Sequence, residues 1–345
     1  MHAPVPLLVI LLLLGASGPA QAQARSRPPA PPAPVEDWFA SVYTPGGLEV
    51  RADLRVFTLF ALLNRAGYDA GTRYREHPIP AYRYHPARTY VREALEVESS
   101  AVVAEARAFF DAHPAPVEAY LARLLVGAPE GPGGARGLDG LDGLEALLDR
   151  AEAEWPIASL REETLDLYRA EQRAWLPLLD APLQQAARLL GLPEAKPALQ
   201  VVVNLLDAEG SIRRVETGQG WVLVVGPPTH APEVEPVVRE YARGVLSARL
   251  AGRLEGRWTG GAAALREART VGVGETTVGE YGVALVSRAL ALRATGAQEA
   301  AYEAAGRQGY FGLKALARSI DDSRPVDAWA LEGLSRSVSG QALRK

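Results

Sequence analysis

Gly220-Trp221-Val222-Leu223-Val224-Val225-Gly226-Pro227-Pro228, followed from residue 236 by Pro236-Val237-Val238-Arg239-Glu240-Tyr241-Ala242-Arg243, reads as a strand that stops and a helix that starts. The first run is apolar and β-branched, and the two prolines end it because neither can donate to a sheet. Pro236 suits the first turn of a helix, where its missing N–H has no intrahelical partner to lose. Helical spacing then continues to about Leu254. On that helix Val237, Val238, Tyr241, Val245 and Ala248 share an apolar side, and Arg239, Glu240, Arg243, Gly244 and Ser247 share a polar arc. Such an arc fits a cleft wall and a solvent face equally well, with Glu235 supporting Arg239 at i, i+4 in either case.

Working outward, Leu199-Gln200-Val201-Val202-Val203-Asn204-Leu205-Leu206 is a second strong strand, ending in the turn Asp207-Ala208-Glu209-Gly210. Ile212 to Val215 can pair back, which predicts one small antiparallel sheet. Most of the remaining chain has helical periodicity. Val56, Leu59, Phe60 and Leu63 fall on one helix face that Gly67 ends, and further patterns cover 87–112, 117–126 and 144–190, with breaks near Pro156, Pro177 and Pro182. Helices dominate again from Val278. The expected class is α+β, predominantly α-helical with one small antiparallel sheet. Two lobes are expected: a helical N-terminal lobe over 37–195, and a core over 196–345 that carries the hairpin and the helices after it.

Between these patterns, residues 68–86 are rich in Tyr and Pro and read as irregular. The Gly-rich stretch 127–143 reads as a surface loop. Its Leu138-Asp139-Gly140-Leu141-Asp142-Gly143 repeat places acids every third residue, whereas a calcium loop needs them every second. No strand precedes it, as a phosphate loop would require.

At the other end, Leu7-Leu8-Val9-Ile10-Leu11-Leu12-Leu13-Leu14 is apolar but too short to span a bilayer, and Ala20-Gln21-Ala22 follows it as an A-x-A cleavage pattern. Residues 1–22 are therefore expected to be a signal peptide and 23–36 a Pro-rich spacer. The mature protein would be secreted or periplasmic, with no membrane association after cleavage. Zero cysteines in 345 residues exclude disulfides, thiolate metal sites and cysteine nucleophiles. A net charge of −4 with interspersed signs leaves no nucleic-acid footprint.

Recognisable catalytic motifs are absent. His77, His85, His113 and His230 remain after cleavage, none four residues from another, so there is no H-E-x-x-H pair. Neither G-x-S-x-G nor S-x-x-K occurs.

The order of elements says more. A hairpin, a strand ending in Val-Val-Gly-Pro and then the 236–243 helix resembles the way gluzincin-type (thermolysin-like) zinc peptidases present their zinc helix. Val278-Gly279-Glu280-Tyr281 to Ala289 is similar to the helix that carries the third ligand. Gln308-Gly309-Tyr310-Phe311-Gly312-Leu313 is similar to a Gly-aromatic stretch of exported bacterial members, and Phe57 to Tyr68 and Phe109 to His113 are similar to their N-terminal lobe. The resemblance covers most of residues 48–318. It implies a zincin-like fold, Arg239 and Arg243 at the two His ligand positions, Glu240 at the general-base position, and Glu280 or Ala284 at the third ligand position.

Arginine has no lone pair to give and stays charged, so these substitutions would repel Zn²⁺. The resemblance therefore implies a peptidase scaffold without metal or cofactor, retaining at most a peptide or protein ligand along its sheet edge. Two alternatives stand beside it. One is a hydrolase with a non-standard site using Glu240 and His230, and the other is an unrelated exported helical domain.

Overall fold

The structure is a computed structural model and describes residues 41–67, 85–97, 100–126, 140–192, 199–217 and 220–342. The expected signal peptide and spacer (1–36), His77, residues 127–139 of the Gly-rich loop and the lobe boundary near residue 196 lie outside the described residues.

Five strands form one sheet: β1 (Val42–Tyr43), β2 (Glu49–Ala52), β3 (Leu199–Val203), β4 (Ile212–Thr217) and β5 (Gly220–Val225). Their spatial order is β1-β2-β3-β5-β4. β1 runs antiparallel to β2 and β4 antiparallel to β5, while β2–β3 and β3–β5 are parallel. The antiparallel sheet expected from sequence is thus corrected to a mixed one. β4 pairs with β5 rather than back onto β3, and β2 inserts from 150 residues earlier through the register Val50↔Val201.

The composition explains this arrangement. Val201, Val202 and Val203 are all buried, as are Val222 to Val225. Strands buried on both faces read as continuous apolar runs and take the central, parallel positions. β4, with Arg213, Arg214 and Glu216, keeps only Val215 buried and lies at the edge. The segments 37–195 and 196–345 therefore share one sheet.

Twelve α-helices surround the sheet among the described residues. α1 (Leu54–Ala66) starts where the Asp53 carboxylate accepts from the amides of Arg55 and Val56 at 3.0 and 3.1 Å, and ends at Gly67 with φ of 78°. Val56 through Leu63 are all buried, because α3 (Ser100–Ala112) and α5 (Leu144–Glu154) cover α1. Burial of each large apolar side chain contributes about 1.5–3 kcal/mol. α2 (Pro86–Ala94) carries His85 as its N-cap, and α4 (Val117–Val126) packs against β4.

α6 is one helix from Ile157 to Leu189 and contains Pro177 and Pro182, where breaks were expected. Each internal proline costs about 3 kcal/mol. Burial of Tyr168, Trp175, Leu179, Leu183 and Leu189 along one stripe offsets that cost. Pro156 does mark a boundary, as the residue preceding α6.

After β5 the chain forms α7 (Val234–Glu255), α8 (Gly261–Arg269), α9 (Val278–Ala294), α10 (Glu299–Arg307), α11 (Leu313–Arg318) and α12 (Val326–Ala342). α7 packs against β4 and β5 on one side and α9 on the other. Gly279 makes the α7–α9 approach possible. A Cβ there would stand 2.3 Å from the Ala251 carbonyl oxygen, and the Gly279 amide donates to Glu255 at 2.7 Å.

Candidate functional site

Packing of α7 fixes which of its residues face outward. Val237, Val238, Tyr241, Ala242, Val245 and Leu246 are buried, and Tyr241 meets Trp221 of β5 edge-on at 6.0 Å. Arg239, Glu240 and Arg243 are left on the remaining arc, half-buried. Opposite them, Ala284, Ser287 and Arg288 share one face of α9 at i, i+3 and i+4. Together these six side chains line a cavity of about 560 Å³. Its remaining walls are Val271 to Gly274 and the end of α10 with Arg307, Gln308 and Tyr310.

Gly309 holds the last wall in place. Its φ is 92°, a Cβ on it would sit 2.6 Å from the Val273 side chain, and its carbonyl accepts from the Tyr281 hydroxyl at 2.7 Å. Only glycine adopts that conformation against so close a neighbour. The following residue, Tyr310, lies under the Arg288 guanidinium at 4.5 Å.

The cavity is basic. Glu240 is held between Arg214 of β4 at 3.4 Å and Arg239 at 3.7 Å. Arg239 also meets Glu235 at 3.3 Å, and Arg243 meets Glu275 at 3.4 Å. Arg288 donates to the Gln308 side-chain oxygen at 2.7 Å. Burial lowers the Arg288 pKa, and the neighbouring Arg239 charge lowers it further. Burial likewise raises the pKa of the Glu235 carboxyl and of the Tyr310 phenol.

The structure brings Arg239, Glu240, Arg243 and Ala284 to this one cavity and leaves Glu280 out of it. The Glu280 carboxylate accepts from the Thr276 amide at 2.9 Å, the Thr276 hydroxyl at 2.8 Å and the Thr277 amide at 3.0 Å. Hydrogen bonds from Thr276, and then from Thr277, with which it forms the capping box of α9, hold its pKa below the ordinary carboxylate value. His230 is exposed in the connection between β5 and α7 and does not line the cavity. His113 stacks on Phe109 at 4.5 Å, far along the chain in α3 and its end.

Glu275, Arg288, Arg307 and Tyr310 were not singled out as site residues in the sequence. The turn after α8 and the end of α10 are distant in the chain and converge only through packing. The available signal was the Gln308-Gly309-Tyr310 stretch, since a glycine beside an aromatic residue marks a special backbone position.

The zinc ion that the resemblance implies does not fit these residues. Arg239 and Arg243 offer donors where a cation needs acceptors, and the Ala284 methyl offers nothing. Among the described residues, no three His, Asp or Glu side chains gather around a point that could hold a metal. Glu240, engaged by two guanidinium groups, is also poorly placed to take a proton from a water molecule. What the arrangement can do is bind negative charge. The chain matches no protein-family model, no curated protein and no solved structure.

Proposed function

We propose that this protein is an exported relative of the gluzincin-type zinc peptidases that has lost its metal and acts by binding rather than by hydrolysis. One observation carries the proposal. Arg239 and Arg243, at the two His positions of the resemblance, and Ala284, its alternative to Glu280 for the third position, come from two different helices and line the same cavity. Two further features support it: α7 follows directly on an apolar strand, and the neighbouring strand β4 is antiparallel at the sheet edge above it. Export rests on the 7–14 apolar run and the A-x-A pattern at 20–22.

Restoring the ligands tests the ancestry. Arg239→His with Arg243→His recreates H-E-x-x-H around Glu240, and Ala284→Glu adds a third ligand from α9. The triple variant is expected to bind one Zn²⁺, while the double variant, still carrying Ala284, binds it poorly because Glu280 is committed to the α9 cap. A folded triple variant with no more zinc than wild type would sink the proposal.

A further inference from the structure

The cavity between α7 and α9 has a charge imbalance that its own carboxylates do not cancel. Arg239, Arg243, Arg288 and Arg307 line it, and Arg214 reaches it through Glu240. Arg214 also has Glu216 beside it, so against these five guanidinium groups stand four carboxylates, Glu216, Glu235, Glu240 and Glu275, and one positive charge is left over. The excess can be located. Arg288 contacts the neutral Gln308 and Tyr310 and shares the attraction of Glu235 with Arg239, while Arg307 is exposed without an ion pair among the described residues.

This is an unusual place to keep a spare cation. An exposed arginine disperses its charge into water, but Arg288 is partly buried and close enough to Arg239 for mutual repulsion. Guanidinium forks match the two oxygens of a carboxylate or phosphoryl group in geometry as well as charge.

We infer that this cavity is a binding site for a compact oxyanion, a phosphate, sulfate or dicarboxylate group. Arg288 and Arg307 form its primary contacts. Arg239 and Arg243 supply the surrounding field, each already steadied by its own glutamate. The predominance of arginine over lysine suits this role, because the planar fork binds oxyanions in two parallel hydrogen bonds. The site does not depend on the zinc-peptidase ancestry: anion binding by wild type and zinc binding by the triple variant are separate results.

The test is calorimetric titration of the purified full chain with sodium phosphate, sodium sulfate and sodium succinate, with chloride as the monoanion control at constant ionic strength. Saturable one-to-one binding of at least one dianion, with chloride failing to compete, is expected. Binding of phosphate and sulfate without succinate assigns a tetrahedral ligand, and the reverse assigns a dicarboxylate. Arg307→Gln, at an exposed position without an ion pair, and Arg288→Gln should each weaken binding by about tenfold or more, the scale of one charge-assisted contact. These variants also separate binding from the general stabilisation that sulfate and phosphate give most proteins. Absence of saturable binding, equal binding of chloride, or dianion affinity unchanged in both folded variants would overturn the inference.

Discussion

Arg214 on the edge strand β4 donates through one nitrogen to both the backbone carbonyl and the carboxylate of Glu240 on α7, at 3.3 and 3.4 Å. That contact ties the sheet edge to the helix that lines the cavity, and it uses the one acidic side chain that a hydrolytic role would need free. Glu240→Gln leaves Arg214 and Arg239 facing each other with no charge between them. A loss of about 1–2 kcal/mol is expected, between the values for exposed and buried pairs. Urea denaturation checks it, and a change below about 0.5 kcal/mol would mark the pair as ordinary surface chemistry.

Purified wild-type protein is expected to hold no stoichiometric zinc and to leave casein and peptide libraries uncut. The cause is the pair of guanidinium groups in the cavity, which offer a cation donors and no acceptor. One equivalent of zinc by atomic absorption, together with activity lost on chelation, would instead place the protein among active hydrolases.

The capping box of α9 gives a pH signature. Burial is minor at Glu280, and its hydrogen bonds to Thr276 and Thr277 hold its folded-state pKa below the ordinary value of 4.5. Its stabilising contribution is therefore present above 4.5 and lost as pH falls through the lower folded value. Wild type should exceed Glu280→Gln in stability at pH 7, and the gap should close as pH falls below 4.5 through the lower folded value. Thr277→Ala should cost about 1 kcal/mol. If Glu280→Gln is neutral at every pH, the cap is not contributing.

Asp207 is the most buried acid in an ion pair. Its side chain is 0 % exposed and grips Arg213 through two bonds of 2.6 and 2.8 Å, while the guanidinium lies 5.8 Å from the Phe60 ring centre. Asp207→Ala removes both of those bonds and leaves the guanidinium paired with Glu118 at 3.2 Å. The expected loss is about 1.5–3 kcal/mol, the scale of a hydrogen bond to a charged group, measured by chemical denaturation.

Two glycines should respond oppositely to alanine. Gly279→Ala drives a methyl into the Ala251 carbonyl and separates α7 from α9, costing about 1–3 kcal/mol and opening the cavity. Gly306, in α10, has open space around a would-be Cβ, so Gly306→Ala should stabilise by about 0.4–1 kcal/mol. Thermal unfolding of both variants distinguishes a packing requirement from a tolerance.

Periodicity made the elements themselves legible. The α1 stripe from Val56 to Leu63, its stop at Gly67, the strand that becomes β5 and the helix that becomes α7 all followed from local spacing and turn chemistry. So did α4, whose limits 117–126 match its pattern. The prolines of α6 were misleading. Local rules count the lost hydrogen bonds at Pro177 and Pro182, but the burial of Trp175, Leu179 and Leu183 that holds the helix together depends on what packs against it.

Which residues could form a site was decided partly in the sequence and partly by the fold. The polar arc of α7 was fixed by helical geometry, because Arg239 and Arg243 are four residues apart and must be neighbours. Whether that arc faced water or a cleft was not, since both demand polar side chains. That Ala284 lines the cavity and Glu280 does not depended on where α9 begins, and the Thr276-Thr277 cap sets that point. Strand pairing was equally non-local: β2 is too short to announce itself, and it became a partner of β3 only through the parallel register with Val201. The sequence by itself determined most of the helices, the central strands and the placing of Arg239 and Arg243 on one polar arc. Tertiary packing alone brought Arg288, Arg307 and Glu275 to those positions, because the charge balance of a cavity is set by which distant side chains converge on it.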